Sequence, residues 1–189
     1  MRIESTTLPG VVLIETAAYC DDRGYFLETW NQSRYADAGL SVDFAQDNLS
    51  YSRKGVIRGL HLQEPHPQGK LIHVLQGTIF DVAVDVRVGS PTFLQWVGVT
   101  LSAENRRQVF VPPGFAHGFS VMSDDALVVY KCTEVYRPLC ELSVLWNDPK
   151  LAIRWPIAEP ILSDKDRAAP RIEEIPVDRL PKYTGEPAS

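Results

Sequence analysis

Fourteen prolines and twelve glycines cut this 189-residue chain into pieces of at most 19 residues. Proline lacks a backbone donor and glycine weakens regular structure, so the pieces between them are too short for long helices. Most of those pieces alternate apolar with polar or small residues, the period-two pattern of half-buried strands. The chain therefore predicts an all-β fold, one compact barrel of short antiparallel strands. Residues 71–76 and 78–88 flank Gln76-Gly77, read here as a two-residue turn closing a hairpin. Further strands are expected at 93–101, 107–111, 126–136 and 142–146. The stretch 32–40 predicts a short helix ended by Gly39, and 163–168 another begun by a Ser163 cap. A chain of this length reads as a single domain, 1–189, with 170–189 as an extended or frayed tail.

Charge and cysteine usage exclude several classes. Nineteen basic against 24 acidic side chains give a net charge of −5, which removes the broad basic surface that nucleic-acid affinity requires. An anionic ligand must then meet a local basic pocket. No segment approaches the roughly 20 apolar residues of a membrane-spanning helix. Near the N-terminus Glu4 replaces a basic cluster, and the apolar run from Val11 to Ile14 is too short for a secretory signal. Cys20, Cys132 and Cys140 are odd in number and lack C-x-x-C spacing, so a disulfide framework and a zinc site are both disfavoured. A cytoplasmic protein without membrane or nucleic-acid partners is expected.

Four segments carry chemistry. RGLHLQ (58–63) sets Arg58 and His61 in an apolar strand, where a bulge at Gly59 would turn both toward the barrel interior. A core histidine bonded to a carbonyl is the plain alternative. Across the expected hairpin Lys70 lies opposite Ala83 and diagonal to Asp81 and Asp85, so that carboxylates would hold an inward lysine charged. A solvated cluster on the outer face explains the same spacing. PPGFAHGF (112–119) resembles the second motif of cupins and puts His117 and Phe119 on one face. The metal-binding cupins add an H-x-H, but His61-Leu62-Gln63 stands at the matching place, so metal is disfavoured. In VVYKCTEVY (128–136) Tyr130 shares a face with Val128 and Cys132, and Tyr136 follows; aromatic packing with a hydroxyl at the rim is the commoner fate of such tyrosines, and the spacing alone does not overturn it.

The blocks DDRGYFLETW, QDNLS, RGLHLQ, QGKL, DVAVDVR, GSPTF, LSAENRRQVFVPPGFAHGF, YKCTEVY, LWNDP and LSDKDRAAP follow one another in an order that resembles the dTDP-4-dehydrorhamnose 3,5-epimerase family over residues 8–171. The resemblance implies a cupin-like antiparallel β-barrel, or jelly roll, with no cofactor and no metal. It implies epimerisation at C3 and C5 of dTDP-4-dehydro-6-deoxy-D-glucose, both carbons flanking the C4 ketone. By the same resemblance His61 is the general base, Asp166 the carboxylate paired with it, Lys70 the cation near the C4 oxygen and Tyr130 the proton donor on the opposite face. Arg23, Glu28, Gln46, Asp47, Asn48, Arg58, His117, Glu141 and Lys165 would hold the substrate, with Phe26 and Tyr136 against the thymine. A homodimer is implied, N-terminal strands contributing to the neighbour's site. Leu62, His73 and Ser120 depart from the family's usual residues, which leaves a C3-only or C5-only epimerase as the nearest rival. A metal-dependent cupin enzyme and a non-catalytic sugar-binding barrel are the rivals from other classes.

Overall fold

The computed structural model describes residues 1–185. Along the chain run β1 (Arg2–Ser5), β2 (Val12–Glu15), β3 (Ala18–Asp21), β4 (Gly24–Leu27), β5 (Gln46–Arg53), β6 (Ile57–Gln63) and β7 (Lys70–Gln76). These are followed by β8 (Thr78–Asp85), β9 (Trp96–Ser102), β10 (Arg107–Val111), β11 (Phe115–Val121), β12 (Asp125–Cys132) and β13 (Glu141–Ser143). Helix α1 (Gln32–Asp37) precedes β5, and α2 (Asp164–Arg167) follows β13. Six strands form one sheet in the order β1-β2-β10-β7-β12-β5, five form a second in the order β13-β6-β11-β8-β9, and β3-β4 stand apart as a hairpin. The result is the expected all-β barrel of two facing antiparallel sheets.

Alternation decides which side chains enter the space between the sheets. Ile72 and Val74 of β7, Val128 of β12, Ile79 and Ala83 of β8, and Phe115, Phe119 and Val121 of β11 meet there in one core. Full burial of each such side chain contributes about 1.5–3 kcal/mol. The opposite face of β8, with Val82 and Val84, packs into a second core with Leu60, Leu62, Ala116, Leu142 and Val144. Helix α1 packs on the outer face of the six-stranded sheet over β2, β10 and β7, its Tyr35 hydroxyl donating to Gln108 Oε1 at 2.7 Å.

Three expectations change. Gln76-Gly77 closes no hairpin: β7 pairs with β10 and β12, whereas β8 pairs with β11 and β9, so the chain crosses between sheets at Gly77. A type I′ turn needs positive φ at both central residues, and only Gly77, at +79°, has it. Lys70 accordingly lies beside Val111 and Cys132 rather than opposite Ala83. The segment after Pro170 does not fray in its described part: short 3-10 turns at Ile172–Glu174 and Val177–Arg179 bury Ile172, Ile175 and Leu180 in the second core. Residues 186–189 of the expected tail lie outside the described residues. Strand boundaries also shift. β8 stops at Asp85, β12 at Cys132 and β13 at Ser143, each short of its expected end, while β10 matches. Both helices form, Asn31 capping α1 and Ser163 capping α2. Among the described residues no helix is long and apolar enough to cross a membrane.

Candidate active site

The site begins with an irregularity in β6. Phe119 pairs with Arg58 and His117 with His61, so three steps along β6 match two along β11. The extra residue falls at Gly59-Leu60, where Gly59 adopts φ +117°. A Cβ at Gly59 would lie 2.6 Å from Gly118 Cα, a clash that keeps this position glycine. With the bulge in place, Arg58 and His61 line one cavity together with His117 and Phe119.

His61 Nε2 lies 2.5 Å from Asp166 Oδ1, and Asp166 is buried. Asp166 sits in the first turn of α2, whose Ser163 cap accepts from the Asp166 N–H at 3.1 Å. Burial tends to raise the Asp166 carboxyl, but hydrogen bonds from His61, Ser163 and the Gly59 N–H outweigh it and hold the group below the ordinary carboxylate range. A carboxylate on Nε2 fixes that nitrogen as the protonated one and leaves Nδ1 to accept a proton.

Lys70 and Tyr130 reach the same space from the six-stranded sheet, opposite His61. Two adjoining cavities of about 260 and 300 Å³ share His61, Lys70, Tyr130 and Glu141 in their walls. Burial raises the Tyr130 phenol above its usual value, with Cys132 and Glu141 adding to the rise and Arg58 opposing it, so the hydroxyl keeps its proton at neutral pH. Lys70 was expected to be held charged by carboxylates; burial instead pulls its ammonium below the usual lysine range, and Cys132, Asp81 and Glu141 only partly offset that. Asp85, the second expected neighbour, is spent elsewhere, accepting from Arg87, Ser90 and Thr92.

At the rim, Glu141 accepts from Lys165 Nζ at 2.7 Å and from the Tyr136 hydroxyl at 3.1 Å. Burial raises the Glu141 carboxyl, yet these two partners bring it below its ordinary value. Gln46 and Asn48 line the smaller cavity from β5, and Gln46 Oε1 accepts from the Tyr136 N–H at 2.8 Å. His117 Nε2 meets Asp81 Oδ2 at 2.9 Å.

The fold does not bring every sequence-predicted residue here. Arg23 and Phe26 sit on the exposed β3-β4 hairpin, Arg23 paired with Asp21 and Phe26 69% exposed. Glu28 pairs with Arg34 beside α1. Asp47 alternates with Gln46 and Asn48, lines two other recesses, and pairs with Lys131 at 3.0 Å. Sequence reasoning missed Ser50 and Gln63 in the cavity walls, and Ser163 as the residue that seats Asp166. The S-x-x-D spacing of Ser163 and Asp166 was the available signal for the last. A larger recess, about 690 Å³, lies between residues 41–43, Pro113 and the 178–184 segment; it contains no histidine, and its buried Arg87 is paired with Asp85. Among the described residues no three His, Cys, Asp or Glu side chains are grouped to hold a metal ion.

An imidazole facing an ammonium and a phenol across one cavity suits removal of a proton beside a carbonyl and its return from the other side. Comparison with known proteins bears on the same point. The sequence model of dTDP-4-dehydrorhamnose 3,5-epimerase matches residues 5–174. The dTDP-4-dehydrorhamnose 3,5-epimerase of Methanothermobacter thermautotrophicus is 50% identical over 179 residues, covering 93% of this chain and 97% of the relative. That of Shigella flexneri is 51% identical over 168 residues, covering 88% and 93%. Among solved structures, dTDP-6-deoxy-D-glucose-3,5-epimerase from Legionella pneumophila, in complex with dTDP-4-keto-L-rhamnose, superposes with a TM-score of 0.94 at 50% identity, covering 97% of this chain and 98% of that one. A match of this extent, in sequence and in fold, places the chain in the dTDP-4-dehydrorhamnose 3,5-epimerase family.

Proposed function

We propose that this chain, acting as a single domain over 1–189, is a dTDP-4-dehydrorhamnose 3,5-epimerase. It converts dTDP-4-dehydro-6-deoxy-D-glucose to dTDP-4-dehydro-L-rhamnose. The observation that carries this reading is the placement of His61 and Tyr130 on opposite sheets of one cavity, with Lys70 beside Tyr130 on the six-stranded sheet. His61 Nδ1 takes the proton from a carbon beside the C4 ketone, leaving an enolate whose charge resides on the carbonyl oxygen. Lys70 stabilises that oxygen, and the Tyr130 hydroxyl gives its proton to the opposite face of the same carbon. Asp166 steadies the imidazolium formed meanwhile. Solvent then takes the extra proton from His61 and returns one to Tyr130, and the cycle repeats at the second carbon. This chemistry calls for no cofactor.

Gln46, Asn48, Arg58, His117, Tyr136, Glu141 and Lys165 hold the nucleotide-sugar from within one chain. Arg23, Phe26, Glu28 and Asp47 lie away from the cavity of their own chain, and we infer that the first three serve a partner's site in a homodimer. The exposed Tyr19, Tyr25 and Phe26 of the hairpin, with Leu49, Tyr51 and Leu75 exposed on the outer sheet face, support that assembly. Three free cysteines fit a cytoplasmic enzyme, and its product supplies L-rhamnose for surface polysaccharide. The test is NMR of the dTDP-ketosugar in D₂O with purified enzyme. Deuterium at both C3 and C5 is expected; exchange at one carbon alone would replace the assignment with a single-centre epimerase, and exchange at neither would overturn it.

A further inference from the structure

Beyond Thr133, whose N–H donates to the Gly69 carbonyl at 2.9 Å, the strap that carries Tyr136 leaves the sheet. Residues 134–136 make no backbone-to-backbone hydrogen bond among the described residues, and the chain next turns at Pro138–Cys140. Backbone groups freed in this way still need partners, and side-chain amides supply them. Gln68 Nε2 donates to the Glu134 carbonyl at 2.8 Å, and Gln46 Oε1 accepts from the Tyr136 N–H. Gln63 makes three such bonds. Its Nε2 donates to the Val135 carbonyl at 3.2 Å and to the His66 carbonyl at 2.6 Å, while its Oε1 accepts from the Arg137 N–H at 2.7 Å. One buried amide therefore grips the strap on both sides of Tyr136 and ties it to the loop after β6.

The Gln63 side chain gives both its amide hydrogens to protein carbonyls and is 3% exposed, so it holds chain rather than ligand. Tyr136 is its opposite, half exposed at the cavity mouth with its hydroxyl bonded to Glu141. A ring in that position offers a face on which a nucleobase stacks, and a ring already fixed binds without the entropy cost of ordering it. Resting on the epimerase reading, we propose that Gln63 is a positioning residue for the nucleoside end of the substrate. It presets the strap around Tyr136 so that the ring meets the nucleobase. His61 stands two residues earlier on β6, so one strand places the proton acceptor directly and the nucleoside contact through Gln63.

Calorimetric titration of dTDP into the unaltered enzyme, Gln63→Met, Tyr136→Ala and the double variant tests this, alongside steady-state kinetics with the ketosugar. Loss of an oriented stacking ring should weaken dTDP binding by Gln63→Met about tenfold, with KM rising far more than kcat falls. In the Tyr136→Ala background the same substitution should change dTDP affinity by less than about twofold, because the ring it positions is gone. Gln63→Glu, which still accepts from the Arg137 N–H but sets a carboxylate against two carbonyls, should show the same loss and the same dependence on Tyr136, and it decides the matter if Gln63→Met does not fold. An intact dTDP affinity in the Gln63 variant, whatever its melting temperature, would overturn the inference, as would a loss that persists undiminished on top of Tyr136→Ala. Tyr136→Ala binding dTDP as tightly as the parent would also overturn it while leaving the epimerase reading in place. Failure of the unaltered enzyme to bind dTDP would overturn that reading itself and this inference with it.

Discussion

Lys70 stands between opposing influences: burial disfavours its charge, and Asp81 and Glu141 favour it. The net direction is downward, so its ammonium loses its proton at lower pH than a solvent-exposed lysine, whose value is about 10.4. In the proposed mechanism the charged form stabilises the enolate, so kcat should fall on the alkaline side below that value, and a kcat–pH profile would show the limb. Lys70→Met should lower kcat by about 10²–10³-fold with KM little changed, the signature of a group that acts on developing charge. His61→Asn should nearly abolish exchange while dTDP affinity stays within about tenfold. Asp166 works in the acid range. Its folded value is depressed, so its contribution to stability is fully present above the unfolded value of about 3.9 and is lost as pH falls through the folded one. Acid unfolding of Asp166→Asn should accordingly be less steep with pH than that of the parent.

Among the elements, β6 shows how much a short sequence can reveal. The Gly between Arg58 and His61 marked a bulge, and the structure places the extra residue there. The Gly59 N–H, which turns to Asp166, could not be foreseen, because it depends on where α2 docks 105 residues further on. Gly59→Ala combines positive φ with a backbone clash at Gly118 and should cost at least ~2 kcal/mol in denaturant unfolding, with activity lost beyond what stability explains. Ser163→Ala removes a cap, typically worth ~1 kcal/mol, from a helix of a single turn. Its main effect should be a fall in kcat through misplacement of Asp166, read as a kcat loss with dTDP affinity retained.

For the whole molecule, most strands from residue 57 on were legible, β1–β5 were not read as strands, and strand pairing was not legible. Alternation in 71–76 and 78–85 revealed two strands, but both point apolar residues into the same core from opposite sheets, which periodicity cannot distinguish from a hairpin. Pairing is a tertiary decision, and the Gln-Gly signal at 76–77 was purely local. The same limit applies to Arg23, Phe26 and Glu28, which lie away from the cavity of their own chain and which the proposed homodimer would bring to a partner's site. Sedimentation should therefore find a dimer, and replacing exposed Leu49 and Leu75 with lysine should shift it toward monomer with loss of turnover. The central claim is that base and acid approach one carbon from opposite faces, and Tyr130→Phe in D₂O tests it most directly. With His61 intact, the variant should place deuterium beside the ketone yet return the carbon unchanged in configuration, whereas inversion at the parent rate would contradict the account.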